Sequence, residues 1–459
     1  MSTPILAIDI GSTKICAIIG KTTEGDVEIS GHGVAKSQGI KKGTITNIEL
    51  ASKAIKKAVD DAKRVSGINI TTAIISISGA YAKSTNSTGV VNIPNNDISI
   101  NEINRVMQTA LYNANIPNEF EILHVLPYKF KIDEQDYIED PYGMNASRME
   151  VDTHIVMTAK SSLENLKKAV NAAGIEIGKV VLTGYASALA VIDQDDKERG
   201  IAVIDLGGHT SNLVIHSGNA IQYNDFLSVG SNHITNDLSI ALHTPLDTAE
   251  ELKITKGSLL QSDIVENVEL PIIGDDKKVN IVSLDIVHNI IYSRMEEALT
   301  ILAKSILKSG LKDNIGSGIM LTGGMTHITG TRELAQALMP NIPIRIGFPR
   351  KVRKMPTELD SPEYATAIGL MIYEAGGFTE YELDRKKNML HSKDYIPKES
   401  LSDIAINGAM GQVKPKISVS QPSFEEQSAN DLFADLSKEQ TSNHSNPVQS
   451  FVEWAKKIF

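Results

Sequence analysis

The sequence predicts an α/β protein with two related halves, because two similar stretches occur far apart in the chain. The first begins at Ala7 and reads Ala-Ile-Asp-Ile-Gly-Ser-Thr-Lys; the second begins at Val203 and reads Val-Ile-Asp-Leu-Gly-Gly-His-Thr. Each is an apolar run that ends in Asp-x-Gly, followed by small polar residues and another apolar run, which is the pattern of a β-hairpin. Elsewhere apolar residues recur at helical spacing, for example from Ile48 to Val65.

Both hairpins have the composition of a phosphate-binding turn. Glycine at the bend lets backbone N–H groups approach an anion, and an aspartate at the strand end can hold Mg²⁺ directly or through water. A single Asp-x-Gly is more often an ordinary turn, but two copies in matching context favour a functional pair. A third stretch, a strand that runs into Gly323-Gly324-Met325, would let a flat adenine and ribose pack against the backbone.

These three stretches predict a cleft for ATP and Mg²⁺ between the halves. The residues expected to bind the nucleotide are Asp9, Gly11, Ser12, Thr13, Lys14, Asp205, Gly207, Gly208, His209, Thr210, Ser211, Asn212, Gly323, Gly324 and Met325. Asp9 and Asp205 are the expected magnesium ligands, on opposite sides of the nucleotide.

The segment from 81 to 160 has its own order of elements. Ser99 and Glu102 form a capping box at the start of a helix, and strands are predicted around Ile122–Ile132 and Met149–Ala159. The alternative interpretation is an ordinary continuation of the first domain. A second capping box, Ser161 with Glu164, predicts the start of the next helix.

Several helices are predicted in the second half. They are expected at Ile234–Leu242, Thr248–Lys256 and Leu284–Leu307, and a last helix begins at Ser361-Pro362 by the N-cap and N1 preferences.

Composition narrows the class of protein. A chain of 459 residues is long enough for two or more domains, and a formal net charge of −11 argues against nucleic acid as a partner. Cys16 is the single cysteine; it lies in an apolar strand pattern and is expected to be a core residue. The sequence has no run of about 20 apolar residues, so no membrane-spanning helix is predicted.

The C-terminal part is predicted to be a disordered linker that ends in a short amphipathic helix. Residues 391–447 are dominated by polar and acidic residues, which cannot bury enough apolar surface to fold. In residues 448–459, the side chains expected on or beside the apolar face are Phe451, Val452, Trp454, Ala455, Ile458 and Phe459. A stripe of this kind with adjacent lysines suits a membrane surface. The alternative is a helix that docks in a groove of a protein.

The three stretches, in this order, resemble the phosphate-one, phosphate-two and adenosine motifs of the actin, hexokinase and heat-shock chaperone superfamily. Within it, Gly39–Ile45, Asn47–Glu49 and Tyr185–Ala190 resemble the FtsA family of bacterial cell-division proteins. The resemblance implies two actin-like domains built on ribonuclease-H-like cores, with an inserted strand-helix-strand-strand subdomain. The domains would be 1–80 and 161–200 for the first actin-like domain, 81–160 for the insert, 201–390 for the second actin-like domain, 391–447 for the linker and 448–459 for the membrane-targeting helix.

The resemblance also implies residue roles. Glu250 and Lys253 resemble the superfamily's adenosine-contacting pair; the alternative is a simple i,i+3 surface pair. Arg294 resembles a position near the subunit or partner interface; the alternative is a solvated helix charge. Efficient ATPases of the superfamily have a water-orienting Gln or Glu where this chain has Leu182-Thr183-Gly184-Tyr185-Ala186, so slow hydrolysis is expected, with ATP acting mainly as a structural ligand.

The implied function is that of a division adaptor at the cytoplasmic face of the cell membrane. It would bind the C-terminal tail of the tubulin-like FtsZ, polymerise with itself, recruit later division proteins, and bind membrane lipid through its terminal helix. Two alternatives remain open at this point: a small-molecule kinase of the same superfamily, and a pilus-assembly actin-like ATPase. Neither needs a long tail with a membrane helix.

Overall fold

The computed structural model describes residues 3–23, 26–260 and 266–391. All of the predicted linker beyond residue 391 lies outside the described residues. So does the predicted terminal helix with Phe451, Val452, Trp454, Ala455, Ile458 and Phe459.

The chain begins with the first predicted hairpin, which is confirmed. The elements of this segment are β1 (Thr3–Ile10), β2 (Lys14–Thr23), β3 (Asp26–Lys36), β4 (Ile40–Lys41), β5 (Thr44–Ile45), α1 (Ile48–Ser66) and β6 (Thr72–Ile77). Helix α1 begins where the Asn47 side chain accepts a hydrogen bond from the Leu50 N–H at 3.0 Å, and it ends at Gly67, whose φ of 68° is left-handed. Its apolar face packs on the sheet.

The predicted insert is a separate small sheet with one helix on it. Its elements are β7 (Ala82–Asn92), α2 (Ile100–Asn113), β8 (Phe120–Ile132), β9 (Gln135–Ile138) and β10 (Arg148–Ala159). The strand order is β7-β10-β8-β9, and a second hydrophobic core lies between this sheet and α2. The capping box of Ser99 and Glu102 is present at the start of α2, as predicted. The interpretation as a continuation of the first domain is therefore wrong.

The chain then returns to the first sheet. It forms α3 (Lys160–Ala172), β11 (Glu176–Leu182) and α4 (Thr183–Val191). The predicted capping box of Ser161 and Glu164 is wrong: the N-cap residue of α3 is Ala159, two residues before Ser161, and no side chain caps the helix. The Lys160 N–H donates instead to the Glu119 carbonyl at 2.9 Å, and Glu164 pairs with Lys167. A neighbouring segment therefore satisfies one of the N–H groups in the first turn of α3.

The second half contains the second predicted hairpin and most of the helices. Its elements are α5 (Gln194–Arg199), β12 (Ile201–Leu206), β13 (Ser211–Ser217), β14 (Ala220–Leu227), α6 (Ser231–Leu242), α7 (Leu246–Lys256), β15 (Asn267–Ile272), β16 (Asp275–Ser283), α8 (Leu284–Lys308), β17 (Ile319–Thr322), α9 (Thr331–Leu338), β18 (Ile344–Ile346) and α10 (Ala365–Ile372). Pro362 begins a short 3₁₀ turn that leads into α10, so the predicted last helix forms slightly later than expected.

The two main sheets have the same topology. The first has the order β3-β2-β1-β6-β11 and the second has the order β14-β13-β12-β17-β18. In each, the first three strands along the chain pair antiparallel, and the last two are added in parallel to the first strand. This equivalence confirms the predicted pair of related α/β cores.

Helices α4 and α10 cross in close contact beside the two sheets. A methyl group added at Gly369 would lie 1.8 Å from the Ala186 carbonyl oxygen, so only glycine allows the two backbones to approach this closely. Ala186 and Gly369 are both buried in the main hydrophobic core region. Cys16 also lies in this core, as predicted, and burial raises the pKa of its thiol to about 12. Among the described helices, none is long and apolar enough to cross a membrane.

Candidate functional site

A cleft of about 470 Å³ lies between the two hairpins and is lined by residues of both cores. This volume is within the range of roughly 300–1,000 Å³ that is usual for small-molecule sites. The predicted residues that line it are Asp9, Gly11, Ser12, Thr13, Lys14, Asp205, Gly207, Gly208, His209, Thr210, Asn212, Glu250, Lys253, Gly323, Gly324 and Met325. The three sequence stretches and the Glu250–Lys253 pair therefore meet in one place.

Among the residues predicted to bind the nucleotide, Ser211 is the one whose side chain lies outside the cleft. It is fully buried, and its hydroxyl donates to the Val229 carbonyl at 2.8 Å. Side chains alternate along a strand, so Ser211 at the start of β13 faces the sheet interior while Thr210 and Asn212 line the cleft.

The turns of the two hairpins have the same backbone geometry. The Gly11 N–H donates to the Lys14 carbonyl at 3.1 Å, and the Gly207 N–H donates to the Thr210 carbonyl at 2.9 Å. A methyl group at either glycine would lie less than 3.0 Å from the same carbonyl oxygen. Glycine is therefore required at both bends by a close approach of backbone to backbone.

The two turns contact each other through Gly208 and Thr13. A methyl group added at Gly208 would lie 1.8 Å from Thr13 Oγ1. The polar rims of the two hairpins are thus in direct contact, and Gly208 is the position that allows this contact.

The two aspartates are buried, and each is held by hydroxyl groups from other elements. Asp9 accepts a hydrogen bond from Ser76 Oγ at 2.9 Å. Asp205 accepts one from Ser187 Oγ at 2.7 Å and lies near Thr366. Burial raises the pKa of Asp9 to about 6, although the Ser76 hydrogen bond opposes the shift, and the Asp205 charge raises it further. Burial likewise raises the pKa of Asp205.

This arrangement fits a bound Mg²⁺. Two desolvated carboxylates, one of which raises the pKa of the other, are stabilised by a dication placed near both. The described residues contain no group of three or more His, Cys, Asp and Glu side chains that could hold a metal ion alone. Magnesium usually binds one or two carboxylates, with substrate phosphates and water as its other ligands, so two aspartates are a sufficient protein contribution.

Lys14 is the cation of the first hairpin, and its partners could not be predicted from the sequence. Its ammonium group pairs with Glu363 at 2.7 Å and lies 3.5 Å from the centre of the Tyr364 ring. Both partners come from the turn that precedes α10, far away in the chain. The contacts of Ser76, Ser187 and Thr366 with the two aspartates could not be predicted from the sequence either, because hydroxyl residues in apolar strands and helices have no sequence signature.

The end of the cleft beside Gly324 is more apolar and suits a base. Met325 and Ile328 line it, together with Ile254 of α7. A methyl group at Gly324 would be no closer than 3.5 Å to Glu363, so this glycine leaves open space towards the cleft. Gly323, with φ of 89°, could not carry a side chain, since its methyl group would collide with Asp205.

Glu250 and Lys253 form an ion pair of 2.7 Å in the wall of this cleft. Only 6% of the Lys253 side chain is exposed, and its ammonium group also donates to Thr235 Oγ1 at 2.9 Å. The pair is therefore more than an i,i+3 contact on the surface, because it ties α7 to α6 beside the cleft.

The stretch from Leu182 to Ala186 forms the end of β11 and the first turn of α4. Thr183 lines the cleft, whereas the Tyr185 hydroxyl points away and donates to the buried Glu382 at 2.9 Å. The prediction of slow hydrolysis stays a prediction.

Arg294 lies on α8 outside the cleft. Its guanidinium group donates to both carboxylate oxygens of Asp237 on α6, at 2.7 and 3.1 Å, and to Glu297 on its own helix. Only 28% of its side chain is exposed, so it is less exposed than the sequence suggested. It joins two helices rather than being freely solvated.

Solved structures with the same architecture include two proteins of low sequence similarity. The PilM–PilN type IV pilus biogenesis complex has a TM-score of 0.58 at 15% identity over 81% of this chain and 98% of that chain. MreB5 of Spiroplasma citri bound to ADP has a TM-score of 0.51 at 14% identity over 81% of this chain and 96% of that chain. These likenesses confirm the predicted actin-like fold.

Comparison with protein families and curated relatives identifies the family. The model described as "Cell division protein FtsA" matches residues 202–369, and that of the "SHS2 domain inserted in FTSA" matches residues 79–157. The cell division protein FtsA of Helicobacter pylori is 40% identical over 413 residues, which cover 83% of this chain and 84% of the relative. That of Pseudomonas aeruginosa is 33% identical over 372 residues, which cover 80% and 88%. The chain therefore belongs to the FtsA family of cell division proteins.

Proposed function

We propose that this chain binds ATP with Mg²⁺ in the cleft between the two hairpins. The observation that carries the proposal is the pair of equivalent glycine turns, each preceded by a buried aspartate and each facing the same cleft. Backbone N–H groups at such turns favour phosphate oxygens, and the metal would supply positive charge between the phosphates and the carboxylates.

Each group in the cleft has an expected role in this proposal. Asp9 and Asp205 would hold the metal, and Ser12, Thr13, Lys14 and Thr210 would surround the phosphates. Gly324 and the Glu250–Lys253 pair would contact the adenosine. Lys14 pairs with Glu363 in the described structure, so phosphate would compete with that carboxylate for the ammonium group. ATP is proposed to act mainly as a structural ligand with slow hydrolysis.

Two substitutions test the placement of ATP. Asp205→Ala removes a proposed metal ligand, and Gly324→Trp fills the adenosine end by sterics; both are expected to weaken ATP binding at least about tenfold, which corresponds to about 1.4 kcal/mol. Asp247→Ala, an exposed carboxylate in the first turn of α7, and Gly324→Ala, for which there is space, are the matched controls. Isothermal titration with Mg-ATP measures the affinities. If both primary variants bind ATP as the wild type does, the nucleotide site lies elsewhere.

We further propose that the protein is the adaptor that its family membership suggests. It would bind the C-terminal tail of FtsZ, polymerise through head-to-tail contacts, recruit later division proteins, and work at the cytoplasmic face of the cell membrane at the division site. The support is the similarity to FtsA proteins over 80% or more of this chain. The kinase and pilus-assembly alternatives belong to other families and gain no support from these relatives.

The proposed membrane anchor is the apolar face of the terminal helix. Burying an apolar side chain contributes about 1.5–3 kcal/mol at most, and ordering a short helix consumes much of that. One copy is therefore expected to bind a bilayer weakly, whereas polymerised copies gain roughly 10²–10⁴ from the raised effective concentration. Membrane residence would then depend on assembly.

Liposome co-sedimentation tests the anchor. Trp454→Glu combined with Phe459→Glu is expected to abolish pelleting while leaving ATP binding intact. Ser450→Glu, which adds the same kind of charge just before Phe451, is the control and should still pellet. Continued pelleting of the double variant would exclude the terminal helix as the anchor.

The proposed partner or polymer surface includes Arg294. Arg294→Gln would remove the bidentate contact with Asp237 and is expected to weaken binding of an FtsZ C-terminal peptide or filament formation on lipid monolayers. Arg332→Gln, in which an exposed arginine loses only its contact with Glu333, is the matched control. Equal peptide binding and equal filaments in both variants would remove Arg294 from the proposal.

A further inference from the structure

We propose that four side chains beside the cleft, His209, His233, Lys41 and Lys42, bind the terminal phosphate of the nucleotide and distinguish a triphosphate from a diphosphate. This set is called the cationic cluster below. The inference rests on the proposed function of the same cleft, and it adds a specificity determinant that lies outside the glycine turns.

The second core contributes the two histidines. His209 follows Gly208 in the second hairpin and lines the cleft. Its ring packs edge-on against that of His233, with 6.4 Å between ring centres, and Asn232 Nδ2 lies 3.2 Å from each of its ring nitrogens. His233 Nδ1 accepts a hydrogen bond from the Gly230 N–H at 3.2 Å, so its other nitrogen is the one that carries a proton.

The first core contributes the two lysines, on the tight hairpin of β4 and β5. Lys42 and Gly43 form the turn, with φ of 48° and 77°, as in the two-residue hairpin turns that need positive φ at both central positions. The Gly43 N–H donates to Ser12 Oγ at 2.9 Å, which fixes this turn to the first phosphate hairpin. Gly43 lines the cleft, and Lys41 and Lys42 beside it are exposed. The turn therefore places Lys41 and Lys42 next to Gly43 at the edge of the cleft, and the charges of both lysines lower the pKa of His209.

The groups around the histidines are mainly cationic. Burial lowers the pKa of His209, and His233, Lys41 and Lys42 lower it further. Burial also lowers the pKa of His233; Arg294 and Lys42 act in the same direction, and Asp237 acts in the opposite one. The surrounding positive charges therefore oppose protonation of both rings in the absence of ligand, and the same positive potential is available for an anion.

A phosphate group suits this place for two reasons. The cluster adjoins the glycine turns, whereas the apolar residues Ile254, Met325 and Ile328 line the part of the cleft that suits a base. A dianionic group would also offset the positive charges that lower the pKa values of the histidines, because a nearby negative charge favours the protonated imidazole. Binding of a terminal phosphate should therefore be accompanied by proton uptake, and the affinity should rise as pH falls from 8 towards 6.

Calorimetric titration of the full-length protein with Mg-ATP and with Mg-ADP tests the proposal. Titrations at pH 6, 7 and 8, in two buffers with different ionisation enthalpies, give both the affinities and the number of protons taken up. For each proton taken up on binding, the affinity for ATP should rise by up to about tenfold for each unit by which the pH is lowered. The wild type should take up more protons with ATP than with ADP.

The variants separate the two halves of the cluster. His209→Asn combined with His233→Asn should remove the extra proton uptake and lower the ratio of ATP to ADP affinity about tenfold. Lys41→Gln combined with Lys42→Gln should lower the ratio and keep a proton uptake. The controls are His243→Asn at the C-terminal end of the same helix α6, and Lys57→Gln on α1; both should behave as the wild type.

The outcomes are distinguishable. If ATP and ADP bind but the histidine variant keeps the wild-type ratio and the wild-type proton uptake, the cationic cluster does not contact the terminal phosphate. If the wild type binds neither nucleotide, the proposed function fails and this inference fails with it. Circular dichroism of each variant checks that a changed ratio does not come from unfolding; a variant that is folded and binds ADP normally gives a valid ratio.

Discussion

The contact between Gly208 and Thr13 gives the sharpest test of the cleft geometry. In Gly208→Ala the new methyl group would lie 1.8 Å from Thr13 Oγ1, while ordinary van der Waals contact begins near 3.4 Å. Rotation of the Thr13 side chain can move Oγ1 away, but Thr13 Cβ would still lie 2.9 Å from the new methyl group, so the two hairpins must separate by at least about 0.5 Å. Overpacking of this kind costs about 1–3 kcal/mol. Because the hairpins belong to different cores, the separation would open the cleft, and we expect both a lower thermal midpoint and at least about tenfold weaker ATP binding.

Substitutions at Thr13 should relieve the loss of stability in steps, and so test whether the contact with Thr13 causes it. In the Gly208→Ala background, Thr13→Ala removes the atom at 1.8 Å but leaves Cβ at 2.9 Å, so it should restore part of the stability. Thr13→Gly removes both atoms and should restore more, apart from the cost of the added backbone freedom. Gly324→Ala in the same cleft, with no atom closer than 3.5 Å, is the control. If Gly208→Ala is as stable as Gly324→Ala, or if the Thr13 substitutions do not relieve it, the hairpins do not meet as described.

Two other predictions concern buried carboxyl groups, and urea unfolding measures both. Because the pKa of Asp9 is raised from 3.8 to about 6, the free energy of unfolding of the nucleotide-free protein should fall as pH rises from 4 to 6 and stay low above that. Asp9→Asn keeps an acceptor for Ser76, so it should raise the stability at pH 7.5 by up to about 3 kcal/mol and flatten this pH dependence; an unchanged profile would contradict the burial of a charge there. Glu382→Gln replaces a fully buried acceptor of the Tyr185 hydroxyl and should lower the stability by about 1–3 kcal/mol, whereas the exposed Glu333→Gln should have little effect.

The sequence predicted those parts of the fold that have a local signature. The hairpins were predictable because Asp-x-Gly between two apolar runs is typical of the turn of a β-hairpin. Helix α1 was predictable because its apolar period lies between the Asn47 cap and Gly67, where the helix ends. The Ser161–Glu164 capping box has the same local signature and is nevertheless absent. There the Glu119 carbonyl accepts from the first turn of α3, and a tertiary contact replaces the local one.

The site was predictable only where it lies on the turns. Glycines and aspartates in the two hairpins were evident because the same pattern occurs twice. The groups that hold them, Ser76, Ser187 and Thr366, are single hydroxyls in apolar segments, and only the packing of β6, α4 and α10 brings them to the aspartates. Glu363 was hidden for the same reason, since nothing near Lys14 in the chain indicates that a residue before α10 will pair with it.

Helix α4 connects the cleft to the segment that precedes the predicted linker. Ser187 on this helix holds Asp205, and Tyr185 on the same helix donates to Glu382, which is fully buried and also pairs with His124 of β8. Asp205 cannot relax by moving this helix, because α4 is packed without space against Gly369 of α10. The electrostatic cost of burying the two aspartates therefore remains in the nucleotide-free protein, and a bound cation would offset it. A ligand that offsets this cost would stabilise the folded protein, and at a concentration one hundred times its dissociation constant this linkage amounts to about 2.7 kcal/mol.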